Sequence, residues 1–490
     1  MIPDHLFSKS ILRCLDSTQL PSTLCIALSG GVDSMCLTYL LSRWAKKYRV
    51  GLKAITIDHS YRKESANEAA LIGRCVEKWC VQHEVHKIEY GTDIKSITNF
   101  EEVARTRRYE IFDRVCRVSN ASHICVAHTL DDQLETFVQR LRHNSSLFGL
   151  AGLREVANIP LPECAPARVR SPVRVIRPLL EFCKADLVAT CKENGVKWFE
   201  DYTNDDVGLT ERNMLRYLIN SYVPAQLSET PCDNGERVHL LQSVSKERLL
   251  ETYGEVRELE STVRNQVRAL HSASDVSLDK SNLSLRLSVP VSLSLDLPDG
   301  VSVLSRWMYE VFYPISASKH YHWAYAKLER HLVPKIKQHI TSSSAASPLK
   351  INYLNVLFNI TYHDTTKILN INCRRQPFIR NESLPTIQVD NLAPSTWSRW
   401  YFFDRRFWLS FYTQKSGIKL HVEPYDVKMH FKIVQELLGK SKEHEFLRNK
   451  KYNCIPMVII HHQGMTDIAF PTCNIYSDGR LVKVDWDTKV

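Results

Sequence analysis

The sequence has no CxxC pair. Its fourteen cysteines are scattered through every region, and the closest clear spacing in the first part of the chain is Cys75 to Cys80. That argues against a zinc ribbon or an iron–sulfur site, which need ligands at short intervals. The lack of a signal peptide argues against a disulfide framework, so reduced and mostly buried thiols are expected. No apolar run is long enough to span a bilayer, and there is no internal repeat. The GxxxxGK[ST] loop that delivers a lysine to a γ-phosphate is missing too. Near the start, Lys9 and Arg13 stand among Asp4 and Asp16, a poor match to an organelle presequence.

What is present is ordinary globular composition, 44% hydrophobic and 24% charged, over 490 residues. That length exceeds what one hydrophobic core organises, so two or three domains are expected. A formal charge of +10 suits a polyanionic partner such as RNA.

Leu24 to Leu28, Val50 to Ile57, Val85 to Ile88 and His123 to Ala127 read as short strands, with amphipathic helix-length stretches near 34–47, 64–82, 101–118 and 130–142. Strands alternating with helices imply parallel pairing: an α/β fold with a doubly wound sheet, whose ligands bind beyond the carboxyl ends of the strands. A Pro-rich passage from Asn158 to Pro178 reads as a surface connection, followed by a helix over Lys184 to Asn194. A linker is expected over 226–237, and a long helix with a buried stripe near 249–270. From Ser281 to Leu297 serine and leucine alternate as in a half-buried strand, or two around Pro290. Helical patterns resume near 302–313 and 320–339, ahead of a small-residue linker from Thr341 to Pro348. The last part interleaves Trp397, Trp400, Phe402, Phe403, Phe407 and Trp408 with Arg399, Arg405 and Arg406. Such a mixture either stacks on RNA bases or fills strand cores, and the core reading is favoured.

Ser29-Gly30-Gly31-Val32-Asp33-Ser34 lies directly after an apolar strand and directly before a helix. Adjacent glycines permit a sharp turn with exposed N–H groups, and the following helix aims its positive end at an anion, so phosphate is expected there. Ser29 and Ser34 can add hydroxyl donors, and Asp33 can help hold magnesium or order the loop. Without a P-loop lysine, cleavage between the α- and β-phosphates is favoured over phosphoryl transfer. Further on, His128, Asp131, Asp132 and Glu135 fall at i, i+3, i+4 and i+7 and so share one helix face. Three carboxylates on one face repel unless a cation lies between them, which suggests magnesium, a lysine ammonium, or both.

The Ser29 to Ser34 stretch resembles the pyrophosphatase loop of the N-type ATP pyrophosphatases, the PP-loop superfamily. Within it the chain is similar to one family, the tRNA(Ile)-lysidine synthetases. Asp58-His59 with Tyr61, Arg62 and Ser65 is like that family's DHxLRxxS stretch. The run Asn99, Glu101, Ala104, Arg105, Arg108, Tyr109 resembles its NxExxARxxRY helix. Ala127, His128, Asp131, Asp132, Gln133, Glu135 and Thr136 resemble its AHxxDDQxET signature. Gly149 to Gly152, Arg177-Pro178-Leu179-Leu180, Glu200 to Asn204 and Arg212-Asn213 follow in the family's order. One departure is Asn144-Ser145-Ser146, where the family often has a glycine turn.

The resemblance implies an ATP- and magnesium-dependent carbon–nitrogen ligase. The wobble cytidine of an isoleucine tRNA with a CAU anticodon is adenylated, and the ε-amine of free lysine then displaces AMP. It assigns the ATP phosphates to Ser29, Gly30, Gly31, Asp33 and Ser34, with Val32 in the same loop, and adenosine to Asp58 and His59. Magnesium goes to Asp132, and lysine handling and base work to Asp131 and Glu135, with His128 beside them. Arg105 and Arg108 stabilise charge, while Arg212 and Asn213 either meet substrate or cap the core. A tRNA thiolase on the same loop would bring CxxC cysteines, which are missing. A catalytically inactive tRNA-binding module would have lost acidic and glycine positions that are all occupied here.

The expected organisation is a catalytic PP-loop domain over 1–225, with an adenine-nucleotide α-hydrolase-like core. A mainly helical tRNA-binding domain over 238–340 follows, then a smaller β-rich domain over 349–490. The long, Ser-rich, low-glycine second half points to a fungal-type mitochondrial enzyme, with the cytoplasm as the alternative.

Overall fold

The computed structural model describes residues 1–15, 19–58, 65–88, 90, 99–170, 172–199, 210–229, 242–318, 321–342, 347–379, 382–439, 445, 447–477 and 481–489. They form two compact units, Met1–Pro162 with Pro172–Glu260, and Glu163–Ser171 with Ser261–Val490.

In the first unit, β1 (Thr23–Ala27), β2 (Gly51–Asp58), β3 (Gln82–Lys87), β4 (His123–Cys125), β5 (Val156–Asn158) and β6 (Arg174–Ile176) make one sheet in the order β3-β2-β1-β4-β6-β5. All neighbours run parallel except β5 against β6. The central strand β1 is apolar on both faces because both faces are covered. Leu24 and Ile26 join the core under α1 (Asp4–Cys14), α2 (Val32–Tyr48) and α7 (Lys184–Glu193). Cys25 points the other way, into the core of α4 (Phe100–Val118), beside Phe112 and Cys116. A side-chain period of two divides one strand between two cores.

The chain winds outward from β1 to β3 and then returns to place β4 on the other side of β1. That reversal opens a crevice at the carboxyl ends of β1 and β4, where doubly wound sheets bind ligands. Bordering it are α5 (Leu130–Arg142) and α8 (Glu211–Tyr217), which runs through a π-helical turn at Leu218–Tyr222 into α9 (Val223–Glu229). Leu134 and Phe137 of α5 pack against Ile219 and against Tyr253 of the long helix Lys246–Ala273. The first compact unit therefore runs to Glu260.

In the second unit, β7 (Asp275–Asp279) and β8 (Ser284–Pro290) join β9 (Leu349–Tyr353), β10 (Val356–His363) and β11 (Ile368–Arg375) in an antiparallel sheet ordered β7-β8-β11-β10-β9. The alternation in β8 buries Leu285, Leu287 and Val289 on one face. One sheet thus contains strands from both the segment expected to be mainly helical and the one expected to be β-rich. Helices Gly300–Val311 and Val333–Ile340 bury Trp307 and Ile336. Two further sheets follow, one built on Lys419–Pro424 and Pro456–His462, the other on Tyr401–Phe403, Phe407–Thr413 and Val482–Thr488. In the aromatic and arginine stretch, Phe403, Phe407, Trp408 and Arg406 are core. The Arg406 guanidinium donates to Asp404 Oδ2 at 2.6 Å and to the Cys454 carbonyl at 2.6 Å. Trp397 and Phe402 stay exposed, and Phe402 stacks on Trp408. Among the described residues no helix is long and apolar enough to cross a membrane.

Candidate active site

The turn between β1 and α2 is braced from within. Gly30 has φ +87°, a conformation that L side chains rarely adopt, and a Cβ there would also push the end of the Ile72 side chain aside. Ser34 is buried, and its hydroxyl accepts from the Ser29 and Gly30 amides at 3.2 and 3.1 Å while donating to the Gly31 carbonyl at 3.0 Å. Among the described residues no side chain caps α2 at Gly31, and the orphan N–H groups of its first turn suit an anion. Asp33 stands in that turn. Its Oδ1 is buried and has no hydrogen-bond partner among the described residues, and burial, only partly countered by Lys184, pushes its carboxyl up to about 6.

At the end of β4, Thr129 caps α5. Asp132 completes a capping box, its Oδ2 accepting from the Thr129 amide at 2.7 Å and the Thr129 hydroxyl at 2.9 Å. The other Asp132 oxygen is ion-paired with Arg212. One turn on, Glu135 is buried and accepts from Arg212 Nε at 2.6 Å and Arg216 Nε at 2.7 Å. Asp131 Oδ2 accepts from the Lys184 amide at 2.7 Å, and its Oδ1 lies 2.6 Å from Lys246 Nζ. Although burial opposes ionisation, these partners hold the Asp131 carboxyl below its ordinary value. The acidic face is thus neutralised by two arginines and a lysine of the same unit. Asp33, Asp131, Asp132 and Glu135 line one cleft of about 490 Å³, with Lys184, Arg216, Asn220 and Lys246.

A second cluster is purely basic. Arg177 Nε donates to His128 Nδ1 at 3.1 Å, and the Arg177 Nη1 donates to the Arg154 carbonyl at 2.8 Å. Burial, with Arg177, Arg212, Arg105 and Arg108 around it, pushes the His128 imidazole down to about 3, so it is neutral at working pH. Arg105 and Arg108 both lie over the Tyr109 ring. Burial lowers the guanidinium pKa values of Arg108 and Arg177. Guanidiniums crowded around a neutral histidine form a site that favours an anion.

The sequence from 3 to 222 matches the family profile described as a PP-loop domain. Over 214 residues, covering 42% of this chain, it is 34% identical to the "Probable tRNA(Ile)-lysidine synthase" of Schizosaccharomyces pombe, covering 46% of that relative. It is 35% identical over 198 residues to the tRNA(Ile)-lysidine synthase of Bradyrhizobium sp., with 40% of this chain and 51% of the relative covered. It is 31% identical over 217 residues to that of Hyphomonas neptunium, with 44% and 56% covered. The chain spans about half the length of the curated relatives it matches.

Within residues 3–222 the structure gives the expected site residues their surroundings. Ser34 is the internal brace of the loop, and the Val32 side chain belongs to the core. Asp132, expected to hold magnesium, has both oxygens occupied by protein groups. Among the described residues no three His, Cys, Asp or Glu side chains group as a metal site. Magnesium takes one or two carboxylates plus substrate phosphates, and the partnerless Asp33 oxygen beside the open helix end fits that demand. His128 is a neutral acceptor for Arg177. Arg212 is the partner of Asp132 and Glu135, while Asn213 borders the cleft, its amide donating to Thr210 Oγ1 at 3.1 Å. Asp58 ends β2, its carbonyl accepting from the Ile88 amide. His59, like Tyr61, Arg62 and the Glu200 to Asn204 block, lies outside the described residues.

Sequence reasoning missed Arg216, Asn220 and Lys246, and gave Arg177 no role. Arg216 falls one turn after Arg212, a spacing that puts both on one face and could have found it. Nothing local marks Lys246.

Proposed function

We propose that this protein is a tRNA(Ile)-lysidine synthetase, adenylating the wobble cytidine of a CAU-anticodon isoleucine tRNA and joining lysine to it. The observation that carries the reading is that the open first turn of α2 and the Asp131, Asp132 and Glu135 face meet in one cleft. The similarity of residues 3–222 to named lysidine synthases supports it.

In the first step the cytidine carbonyl oxygen attacks the α-phosphorus of ATP and pyrophosphate leaves. Charge develops on pyrophosphate, where the N–H groups of the first turn of α2 can receive it. Arg105, Arg108 and Arg177 supply positive charge held in place by Tyr109 and His128. Asp33 would hold a magnesium ion, which supplies charge neutralisation for the phosphates when bound. In the second step the lysine amine attacks the adenylated carbon, the carbon–oxygen bond to AMP breaks, and the amine loses its proton. A carboxylate must bind the ammonium and accept that proton. Asp131 suits this role, because its cationic partner among the described residues is a single ammonium, that of Lys246, whereas Glu135 is held by both Arg212 and Arg216.

The test is incubation of wild-type protein with labelled lysine, ATP, magnesium and a CAU-anticodon tRNA transcript. Asp33→Asn is the control, since it spares the α5 cap that Asp132→Asn would break. Label entering the tRNA only with ATP and wild type supports the reading. ATP split to AMP without label would assign the second step to another nucleophile, and no tRNA-dependent AMP at all would leave a binding module. Mitochondrial residence rests on the Ser-rich, low-glycine second half alone, and fractionation of cells carrying the tagged chain tests it.

A further inference from the structure

The carboxylates of the cleft are not equivalent in what holds them. Arg212 and Arg216 grip Asp132 and Glu135 through planar forks in which several N–H groups point at fixed oxygens. Asp131 meets an ammonium instead. Lys246 Nζ lies 2.6 Å from Asp131 Oδ1 and 3.0 Å from Asn220 Oδ1. Asp131 is fixed in this pose by its second oxygen on the Lys184 amide. Asn220 is presented by the π-helical turn Leu218–Tyr222, a local irregularity of the kind that gathers at ligand sites.

Lys246 is the first residue of the helix Lys246–Ala273. A cation at a helix N-terminus is opposed by the helix dipole, so the helix itself gives Lys246 no reason to be there. Its side chain is 32% exposed, and its ammonium can reach water by rotation of an unbranched stem. What holds it is the pair of acceptors, and the group they hold is a primary ammonium on a four-carbon chain. That is also the chemistry of the side chain of free lysine.

Resting on the functional reading above, we propose that Asp131 and Asn220 form the ammonium subsite of the cleft, that Lys246 is its internal occupant, and that the free amine substrate binds by displacing Lys246. The occupant keeps a partly buried carboxylate paired when no substrate is bound, and it sets a threshold that a weaker or shorter amine does not pass.

Calorimetric binding of L-lysine and of n-butylammonium to the full-length protein tests this without requiring turnover. If Lys246 occupies the subsite in about four molecules of five, its removal tightens apparent binding about five-fold. Lys246→Met is expected to do so for both ligands, and Lys246→Arg is not. Lys184→Met removes the same charge from the same cleft without touching Asp131 Oδ1, so it is expected to leave affinity within about two-fold. Unchanged or weaker binding in Lys246→Met overturns the inference, as does equal tightening in Lys184→Met, which would make the effect one of field and not of occupancy. Turnover on the same preparations separates the two readings. Tightened binding with no lysine entering tRNA would sink the functional reading and leave the subsite standing.

Discussion

Arg212 of α8 reaches Glu135 of α5, placing its Nε 2.6 Å from Oε2 of a carboxylate that is only 4% exposed. Arg216 holds the other oxygen at 2.7 Å. Removing one guanidinium leaves Glu135 paired, whereas removing both strands a buried charge. Arg212→Ala is expected to cost about 1 to 2 kcal/mol, and the double variant with Arg216→Ala about 3 to 5 kcal/mol. Glu135→Gln is expected to cost less than the double variant, because both arginines retain access to water. Urea unfolding measures all three, and an additive pair of arginine effects would show that Glu135 is not what couples them.

Asp33 has a folded-state carboxyl pKa of about 6, above its ordinary value of 3.8. Ionisation therefore penalises the folded state, a penalty absent below pH 4 and complete above pH 6. Asp33→Asn is expected to stabilise the protein by about 2 to 3 kcal/mol at pH 7.5 and by almost nothing at pH 4, while reducing ATP cleavage. Thermal unfolding across that pH range checks the sign, and a stabilisation independent of pH would refute the burial argument.

His128 shows the opposite sign. Its folded-state pKa of about 3 lies below the ordinary 6.5, so its stability contribution is whole above pH 6.5 and is lost as pH falls toward 3. By pH 4 that loss is expected to be on the order of 3 kcal/mol, and His128→Gln should remove it. The same variant should leave the pH–rate profile between 5 and 8 without a missing ionisation, since His128 is already neutral there. Loss of a titration step near neutrality would make His128 a proton carrier and refute its neutral state.

Gly30→Ala meets a φ of +87°, and its new carbon also presses on the δ-carbon end of Ile72. It is expected to cost about 2 to 3 kcal/mol and to weaken ATP binding. Ile72 is itself in the core, so Ile72→Val, which removes only the meeting Cδ1 at about 1 kcal/mol of its own cost, is the partner variant. Its coupling with Gly30→Ala should recover the part owed to the clash but not the part owed to the backbone. Full recovery would mean that φ carries no cost.

The sequence by itself determined the α/β core. Apolar strands at Leu24 to Leu28 and His123 to Ala127, separated by helices of period 3.6, allow little but parallel pairing. It also determined the Gly30-Gly31 turn and the helical face shared by Asp131, Asp132 and Glu135, because these are short-range properties; His128, expected on that face, precedes the Thr129 cap and turns to Arg177 instead. The alternation over Ser284 to Pro290 likewise announced a strand. Tertiary structure decided what each group does. Whether a carboxylate is a metal ligand, a cap or an ion-pair partner depends on what faces it. The partners of α5 come from Arg212, Arg216 and Lys246, far along the chain from Asp131 to Glu135. Tertiary structure also decided that strands on either side of the segment 341–348 share one sheet. Hydrogen bonding between β8 and β11 joins residues that no local pattern connects.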